Sequence, residues 1–208
     1  MPTTLVTDAL TTRQKVKDYL DIADTTHDTV IDELINYTTQ FIKSYCGGRE
    51  FLNQSYTETY DSIRGRRKIF LKQMPVTAVS AVSYRSGTPT NVVWVTYNAD
   101  GYLTYLKEGY IHFYAQLPEV SQGLRVQYTA GFLIDFTHEF DTTYHTLPQD
   151  VTFVATELTA KFFNTRKSMG ILQESTEGQS ISYSYKSREI DDAYRTILSK
   201  YTIFRIAS

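Results

Sequence analysis

The spacing of the apolar residues changes twice along the chain, and this constrains the fold more than any other feature. From Asp28 to Tyr45 apolar side chains recur every three or four residues, as they do on one face of a helix. Between Tyr56 and Ala130 they alternate with polar residues, as in strands with one buried side. Helical spacing returns at Pro148. This order predicts an α+β fold.

Two helices are expected before the alternating region. The first should begin near Thr11, because Thr11 and Gln14 have the spacing of a capping box. The second should cover Asp28 to Tyr45, with Asp28 or Thr29 as its cap. Two glycines at positions 47 and 48 should end it, since glycine readily adopts the left-handed conformation that follows a helix.

Two more helices are expected after the alternating region. One begins at Pro148, where Thr146 and Gln149 again have capping-box spacing. The other spans about Arg188 to Tyr201, with acidic residues in its first turn. The polar segment between them, Gln173 to Ser187, is expected to be a loop.

The alternating region predicts short strands joined by short turns, which implies antiparallel pairing. We therefore expect a small bundle of about four helices from both chain ends, with an inserted antiparallel β-module. The chain divides into residues 1–55 and 147–201 for the helices, 56–146 for the β-module and following loop, and 202–208 for a C-terminal tail. The expected strands are Tyr56–Tyr60, Pro75–Tyr84, Val92–Tyr97, Tyr110–Phe113 and Leu124–Tyr128.

Composition excludes several classes of protein. The 21 Lys and Arg nearly balance the 23 Asp and Glu, so the strongly basic character of a protein that grips nucleic acid is missing. No apolar stretch is long enough to span a membrane, and no membrane partner is expected. A single cysteine allows no intramolecular disulfide, which fits assembly in a reducing cytoplasm. The 17 Tyr and 11 Phe suit strands and, in smaller part, contact surfaces.

No constellation of residues indicates an enzyme. The sequence has no G-x-S-x-G, Walker A or G-x-G-x-x-G motif. His138, Glu139, Asp141 and His145 lack the spacing of a zinc motif and are interpreted as a solvated acidic loop. Glu58 and Asp61 are interpreted as a solvated pair, and Cys46 as a small apolar residue that closes a helix. We predict no catalytic residue, no metal site and no cofactor.

The densest basic run is a candidate contact site. It could touch the phosphate backbone of DNA or an acidic partner. The interpretation as a charged hairpin tip without a specific role ranks first, a protein partner second and DNA third. The run consists of Arg64, Arg66, Arg67 and Lys68.

A set of short motifs in order along nearly the whole chain resembles the head–tail adaptor proteins of tailed bacteriophages, also called head–tail connector or head-completion proteins. Each motif alone is weakly specific, whereas the ordered set is more so. The motifs are Leu10-Thr11-Thr12, Val16 to Leu20, Ile42 to Cys46, Glu58 to Asp61, Ile69-Phe70-Leu71, Pro75-Val76, Val126 to Phe132 and Leu147 to Val151.

The resemblance implies a structural virion protein at the head–tail neck, assembled in the host cytoplasm. Such proteins form a ring, usually a dodecamer, beneath the portal protein. The ring also contacts a tail or stopper/terminator protein. Double-stranded DNA would pass through its channel without specific binding.

The C-terminal tail is the candidate portal-binding segment. Its apolar residues could add a strand to a sheet edge of a partner, which by resemblance would be the portal protein. Alternatively the tail folds back on its own last helix. The candidate residues are Tyr201, Ile203, Phe204, Arg205 and Ile206.

A second function fits the aromatic-rich strands. The chain could be a carbohydrate- or receptor-binding β-module of a virion or bacterial surface protein. Helices at both ends argue against a free-standing lectin.

Overall fold

The computed structural model describes residues 4–62, 65–88, 91–117, 119–166, 173–176, 179–182 and 191–203. Within them the chain contains four helices and nine strands, and the predicted α+β class is confirmed. The helices are α1 (Arg13–Tyr19), α2 (Asp28–Tyr45), α3 (Gln149–Thr165) and α4 (Asp192–Ser199). The strands are β1 (Gln54–Ser62), β2 (Lys68–Phe70), β3 (Val76–Thr88), β4 (Asn91–Thr96), β5 (Tyr102–Tyr105), β6 (Tyr110–Phe113), β7 (Val120–Ala130), β8 (Gln173–Thr176) and β9 (Gln179–Ser182).

The cap of α1 differs from the prediction by one residue. Thr12 is the N-cap, and its hydroxyl accepts a hydrogen bond from the Lys15 backbone N–H at 3.3 Å. The hydroxyl of Thr11 is buried and forms a 2.7 Å hydrogen bond with Thr156 on α3 instead. Helix packing therefore decides which of two adjacent threonines is free to cap.

The other predicted N-caps are also wrong, although α2 has the predicted bounds and ends before Gly47 and Gly48 as predicted, both of which have a positive φ. His27 precedes α2 without a side-chain capping bond, and Asp28 already lies in the first turn. Before α3, the Thr146 hydroxyl accepts from the Leu133 N–H at 2.9 Å instead of capping the helix. Pro148 is the N-cap residue there. Tertiary partners again take the side chains that the local pattern assigned to helix ends.

The β-module contains two antiparallel sheets. The larger has the order β1–β7–β3–β4 and the smaller has the order β2–β6–β5. All five predicted strands are present. The apolar pattern does not predict β2 and β5, each of which obtains its hydrogen bonds by pairing with β6.

Gly131 lets the chain leave the larger sheet after β7. Its φ of +112° suits glycine, and a Cβ atom there would lie 2.4 Å from the Leu52 carbonyl oxygen. The close approach brings the segment before β1 beside the segment after β7, where Asn53 N–H donates to the Phe132 carbonyl at 2.8 Å.

Three apolar clusters hold the fold together. Residues of α2, α3 and α4 form the first cluster with Leu10, Phe51 and Leu147. The β-module has its own cluster, centred on Val82, Ile111 and Val126. The third joins α1 and α2 to Phe163 at the end of α3. Helices from both ends of the chain therefore share buried surface, while the sheets bury theirs among themselves.

The segment predicted to be a polar loop contains regular structure. Strands β8 and β9 pair antiparallel, with Gln173 opposite Ser182. Backbone hydrogen bonds between strands need no apolar side chains, so the hydrophobic pattern gave no signal. The last helix, predicted from Arg188 to Tyr201, is shorter in its described part and ends at Ser199. In the described residues no helix is long and apolar enough to cross a membrane.

Candidate interaction surfaces

The polar loop after β7 uses its side chains for internal contacts. His138 Nδ1 lies 2.8 Å from Asp135, and Glu139 forms a 2.8 Å ion pair with Lys15 of α1. The Nδ1 atom of His145 accepts from the Asp135 N–H at 3.1 Å, and its ring is buried rather than solvated as predicted. In the part of the chain that the structure describes, no three His, Cys, Asp or Glu residues could hold a metal ion together.

Cys46 is enclosed at the end of α2. Its side chain is fully buried, and burial raises the pKa of the thiol to about 11. Because the thiolate is the reactive form, this thiol is inert at neutral pH.

Glu58 and Asp61 have separate roles in β1. Glu58 accepts a hydrogen bond from the Tyr60 hydroxyl. Asp61 accepts from the Gln122 N–H at 2.6 Å and from Ser121, in the bend where β7 begins. Gln122 has a positive φ of 48°, so Asp61 holds a backbone conformation that L-residues rarely adopt.

The start of the C-terminal tail lies against the end of α2. The Ile203 N–H donates to the Cys46 carbonyl at 2.9 Å. A Cβ atom at Gly47 would lie 2.8 Å from the Ile203 carbonyl oxygen, and Gly47 has a φ of +79°. The Tyr201 hydroxyl donates to Asp150 at 2.8 Å. Of the predicted portal-binding residues, Tyr201 and Ile203 are thus placed, whereas Phe204, Arg205 and Ile206 lie outside the described residues.

Arg49 joins the end of the helical part of the chain, at Tyr201, to the β-module, and no sequence pattern indicates this role. The residue is only 7% exposed, and burial lowers the pKa of its guanidinium. One Nη donates to the Tyr201 carbonyl at 2.9 Å and the other to the Met74 carbonyl at 2.7 Å. The guanidinium also lies within 5.6 Å of the ring centres of Phe51, Phe132 and Tyr201. Only the tertiary structure brings these rings together around a cation.

A groove of about 440 Å³ lies beside Arg49. One wall comes from the β-module and includes Phe70 and Met74, and the other comes from Lys200 to Ile203. The groove is therefore formed where the C-terminal tail passes the β-module.

The basic run does not form a hairpin tip, which corrects the sequence interpretation. It connects β1, which pairs with β7, to β2, which pairs with β6 in the other sheet. Arg66, Arg67 and Lys68 are exposed there, and Arg64 lies outside the described residues. The Lys68 ammonium lies 4.8 Å from the centre of the Tyr110 ring. Lys68 therefore lies in the smaller sheet, and Arg66 and Arg67 directly precede it.

The smaller sheet carries an exposed aromatic face. Phe70 and Tyr105 are cross-strand neighbours of Tyr110, and the rings of Tyr105 and Tyr110 stack with centroids 4.5 Å apart. Phe70 is 55% exposed and Leu103 is 44% exposed. Residues two apart on a strand point to the same side, so Lys68 and Leu103 share this side. We call this surface the aromatic face, made of Lys68, Phe70, Leu103, Tyr105 and Tyr110.

The profile of the head completion protein family matches residues 9–204. The chain belongs to this family. The family assignment confirms the predicted resemblance and the structural role as a head–tail connector. The matched range includes Tyr201, Ile203 and Phe204 and ends before Arg205 and Ile206. It also includes the whole basic run and the aromatic face.

Solved structures share the fold of this head completion protein. A chain of the neck of an empty gene transfer agent particle, computed with C6 symmetry, superimposes with a TM-score of 0.58 at 15% identity. A chain of the neck of a native gene transfer agent particle, computed with C12 symmetry, gives the same TM-score and identity. Both alignments cover 100% of this chain and 97% of the other. No curated protein sequence matches.

Proposed function

We propose that this head completion protein forms a ring at the neck of the virion, beneath the portal, and extends the DNA channel toward the tail. The family match carries the proposal, because it spans residues 9–204 and so includes the helices as well as the β-module. The fold likeness to chains of gene transfer agent necks computed with C6 and C12 symmetry adds support. Closed rings use one repeated contact between different surfaces of identical subunits.

The proposed partners are those of a connector. Copies of the chain form a dodecamer, the portal protein binds on the head side, and a tail or stopper/terminator protein binds on the other. The protein acts by assembly and catalyses no reaction. Double-stranded DNA passes through the ring without specific binding.

The proposed subunit has a helical bundle drawn from both chain ends and an inserted β-module. The apolar cluster shared by α2, α3 and α4 supports the bundle. The separate cluster of residues 69–130 supports a module within the range 56–146. We retain residues 1–55 and 147–201 as the two halves of the bundle and 202–208 as the tail.

Localisation in particles tests the proposal directly. Gold-labelled antibody against this chain, applied to purified particles, should mark the junction of head and tail. Averaged cryo-electron micrographs of the same particles should contain a ring of this chain there. Label on the capsid surface or the tail tip would refute the proposal, and label at fibres would favour the carbohydrate- or receptor-binding alternative.

Weak DNA affinity is a further consequence of a conduit role. DNA that bound tightly to the channel could not slide, and the 21 Lys and Arg of the chain are balanced by 23 Asp and Glu. Free protein should bind duplex DNA weakly and lose binding as salt rises. Tight, sequence-specific binding at physiological salt would contradict the role.

The tail is proposed to anchor the ring to the portal through Tyr201, Ile203, Phe204, Arg205 and Ile206. The hydrogen bond of Tyr201 to Asp150 and the position of Ile203 beside Gly47 support it, because they give the following residues a defined starting point.

A further inference from the structure

Charge is separated along this chain to an unusual degree. Residues 18–42 contain six Asp or Glu and no Lys or Arg. Residues 62–99 contain six Lys or Arg and no Asp or Glu. The first stretch covers the turn after α1 and most of α2, and the second covers β2, β3 and β4. The net charge of the whole chain is therefore near neutral, although the chain contains an acidic region (residues 18–42) and a basic region (residues 62–99).

Among the described residues, the bases of the basic region form no ion pair with an acid of the same subunit. In the described part of the chain, every ion pair joins residues outside 62–99. Arg66 and Lys68 are exposed, and the Lys68 ammonium lies over the ring of Tyr110, which packs against the ring of Phe70. A sheet face with exposed aromatic rings has the composition of a protein contact surface, where aromatic residues are enriched.

The end of α1 and the turn after it have the complementary composition. Asp18, Asp21 and Asp24 are exposed, and among the described residues none of them forms an ion pair. Tyr19 between them is 52% exposed, with its hydroxyl donating to Glu157 of α3 at 2.8 Å. We call Asp18, Tyr19, Asp21 and Asp24 the acidic turn.

We propose that the aromatic face of one subunit docks on the acidic turn of the next subunit around the ring. This inference rests on the proposed ring and names the surfaces that build it. Two different surfaces that meet repeatedly form a heterologous contact, which generates a closed ring when the rotation closes. Charge complementarity fixes the register of the contact, and the rings of Phe70 and Tyr110 supply the apolar area.

A second copy of this chain explains more of the surface than DNA does. Phosphate groups would pair with Arg66 and Lys68 but would leave the rings of Phe70 and Tyr105 exposed beside them. DNA would also leave the acidic turn without a partner. A neighbouring subunit accounts for both surfaces at once.

Charge reversal in the assembled particle tests the contact. The variant Arg66→Glu/Lys68→Glu places acids opposite acids, and Asp18→Lys/Asp21→Lys places bases opposite bases. Each should lower the number of copies per purified particle by about tenfold or more, because like charges across an interface cost several kcal/mol. The variant with all four substitutions restores opposite charges at every contact, so its copy number should return to within about twofold of wild type.

Three controls make the result decisive. Arg85→Glu reverses a base of the same stretch on the other sheet and should leave the copy number unchanged. Melting temperatures show that each variant is folded. Duplex DNA binding of each variant is measured in parallel. If the variant with all four substitutions does not restore the copy number, and the double variants have lost DNA binding, the result would overturn the proposal in favour of a DNA contact. Normal copy numbers in both double variants would also overturn it.

Chemical cross-linking separates this contact from the proposed function. Tyr19→Cys and Phe70→Cys in one chain, treated with a bis-maleimide in particles, should give a ladder of covalent oligomers, while each single variant gives none. The buried thiol of Cys46 does not interfere. A chain located at the neck without a ladder refutes the contact alone, whereas a chain absent from the neck refutes the proposed function.

Discussion

Bases on α1 and α2 and bases in the β-module have different neighbours. On α1 and α2 the bases pair with acids: Lys17 lies 2.9 Å from Asp28, and Lys43 lies 2.7 Å from Asp8. In the β-module three bases lie over aromatic rings instead. Lys68, Lys72 and Arg125 lie over the rings of Tyr110, Tyr60 and Trp94 at 4.8, 5.5 and 4.6 Å respectively.

The difference teaches where this protein can make contacts. In an ion pair within a subunit the two opposite charges neutralise each other, so the paired helical surface attracts a charged partner only weakly. A cation held over an aromatic ring keeps most of its net charge available. The predictions below test this contrast and the junction between the two regions.

The largest effect is expected at the junction. Arg49→Ala leaves the carbonyls of Tyr201 and Met74 without their donors and opens space between three rings. We expect a loss of about 3 kcal/mol in the free energy of unfolding. Urea denaturation measures it, and a split into two transitions would show that Arg49 couples the regions. Arg49→Lys keeps the charge but not the planar fork, so full stability in that variant would contradict this account.

A matched pair of lysines tests the contrast in charge. Lys43→Met leaves the carboxylates of Asp8 and Glu50 beside a buried apolar chain and should cost about 2 kcal/mol. Lys72 is exposed, so Lys72→Met removes only a cation over the ring of Tyr60 and should cost about 0.5 kcal/mol or less. Urea denaturation of both variants gives the comparison. Equal losses would show that the two regions do not differ in this way.

Two truncations separate the fold-back of the tail from portal binding. Removing residues 202–208 deletes the hydrogen bond from Ile203 to Cys46 and should cost about 1 kcal/mol. Removing residues 204–208 leaves that bond in place and should not change the melting temperature. Both proteins should fail to co-sediment with tailless heads that carry the portal. Co-sedimentation of either one would place the portal anchor elsewhere.

The smallest effect concerns acid stability. The hydrogen bond from Lys17 lowers the pKa of Asp28 in the folded protein. This stabilisation is present above the ordinary aspartate pKa of about 3.9 and is lost as the pH falls through the lower folded value. Asp28→Asn should therefore flatten the dependence of the melting temperature on pH below about 4.

Local patterns in the sequence predicted the long elements well and the short ones poorly. Helix α2 has the predicted bounds because its apolar repeat continues over 18 residues. Strands β2 and β5 were missed, and β8 and β9 were taken for a loop. Such short strands exist because a partner strand supplies their hydrogen bonds, and a partner distant in sequence leaves no local signal.

The site was predictable only where the residues adjoin in sequence. The basic run and the tail were found because their members are consecutive. The aromatic face combines Phe70, Leu103 and Tyr110 from three strands, so strand pairing had to be known first. Arg49 was missed because nothing beside it in the sequence shows that three rings surround it.

The sequence by itself determined the α+β class, the extent of the long helices and the family, because these depend on periodicity and on motifs in order. The tertiary structure decided which threonine caps α1, where the basic run lies and which surfaces remain unpaired. The physical reason is that one side chain can satisfy only one set of partners. Thr11 bonds to Thr156 across helices, and Lys68 lies on Tyr110 across strands. The two partners of each contact are far apart in the sequence, so packing in the folded protein determines which contact forms.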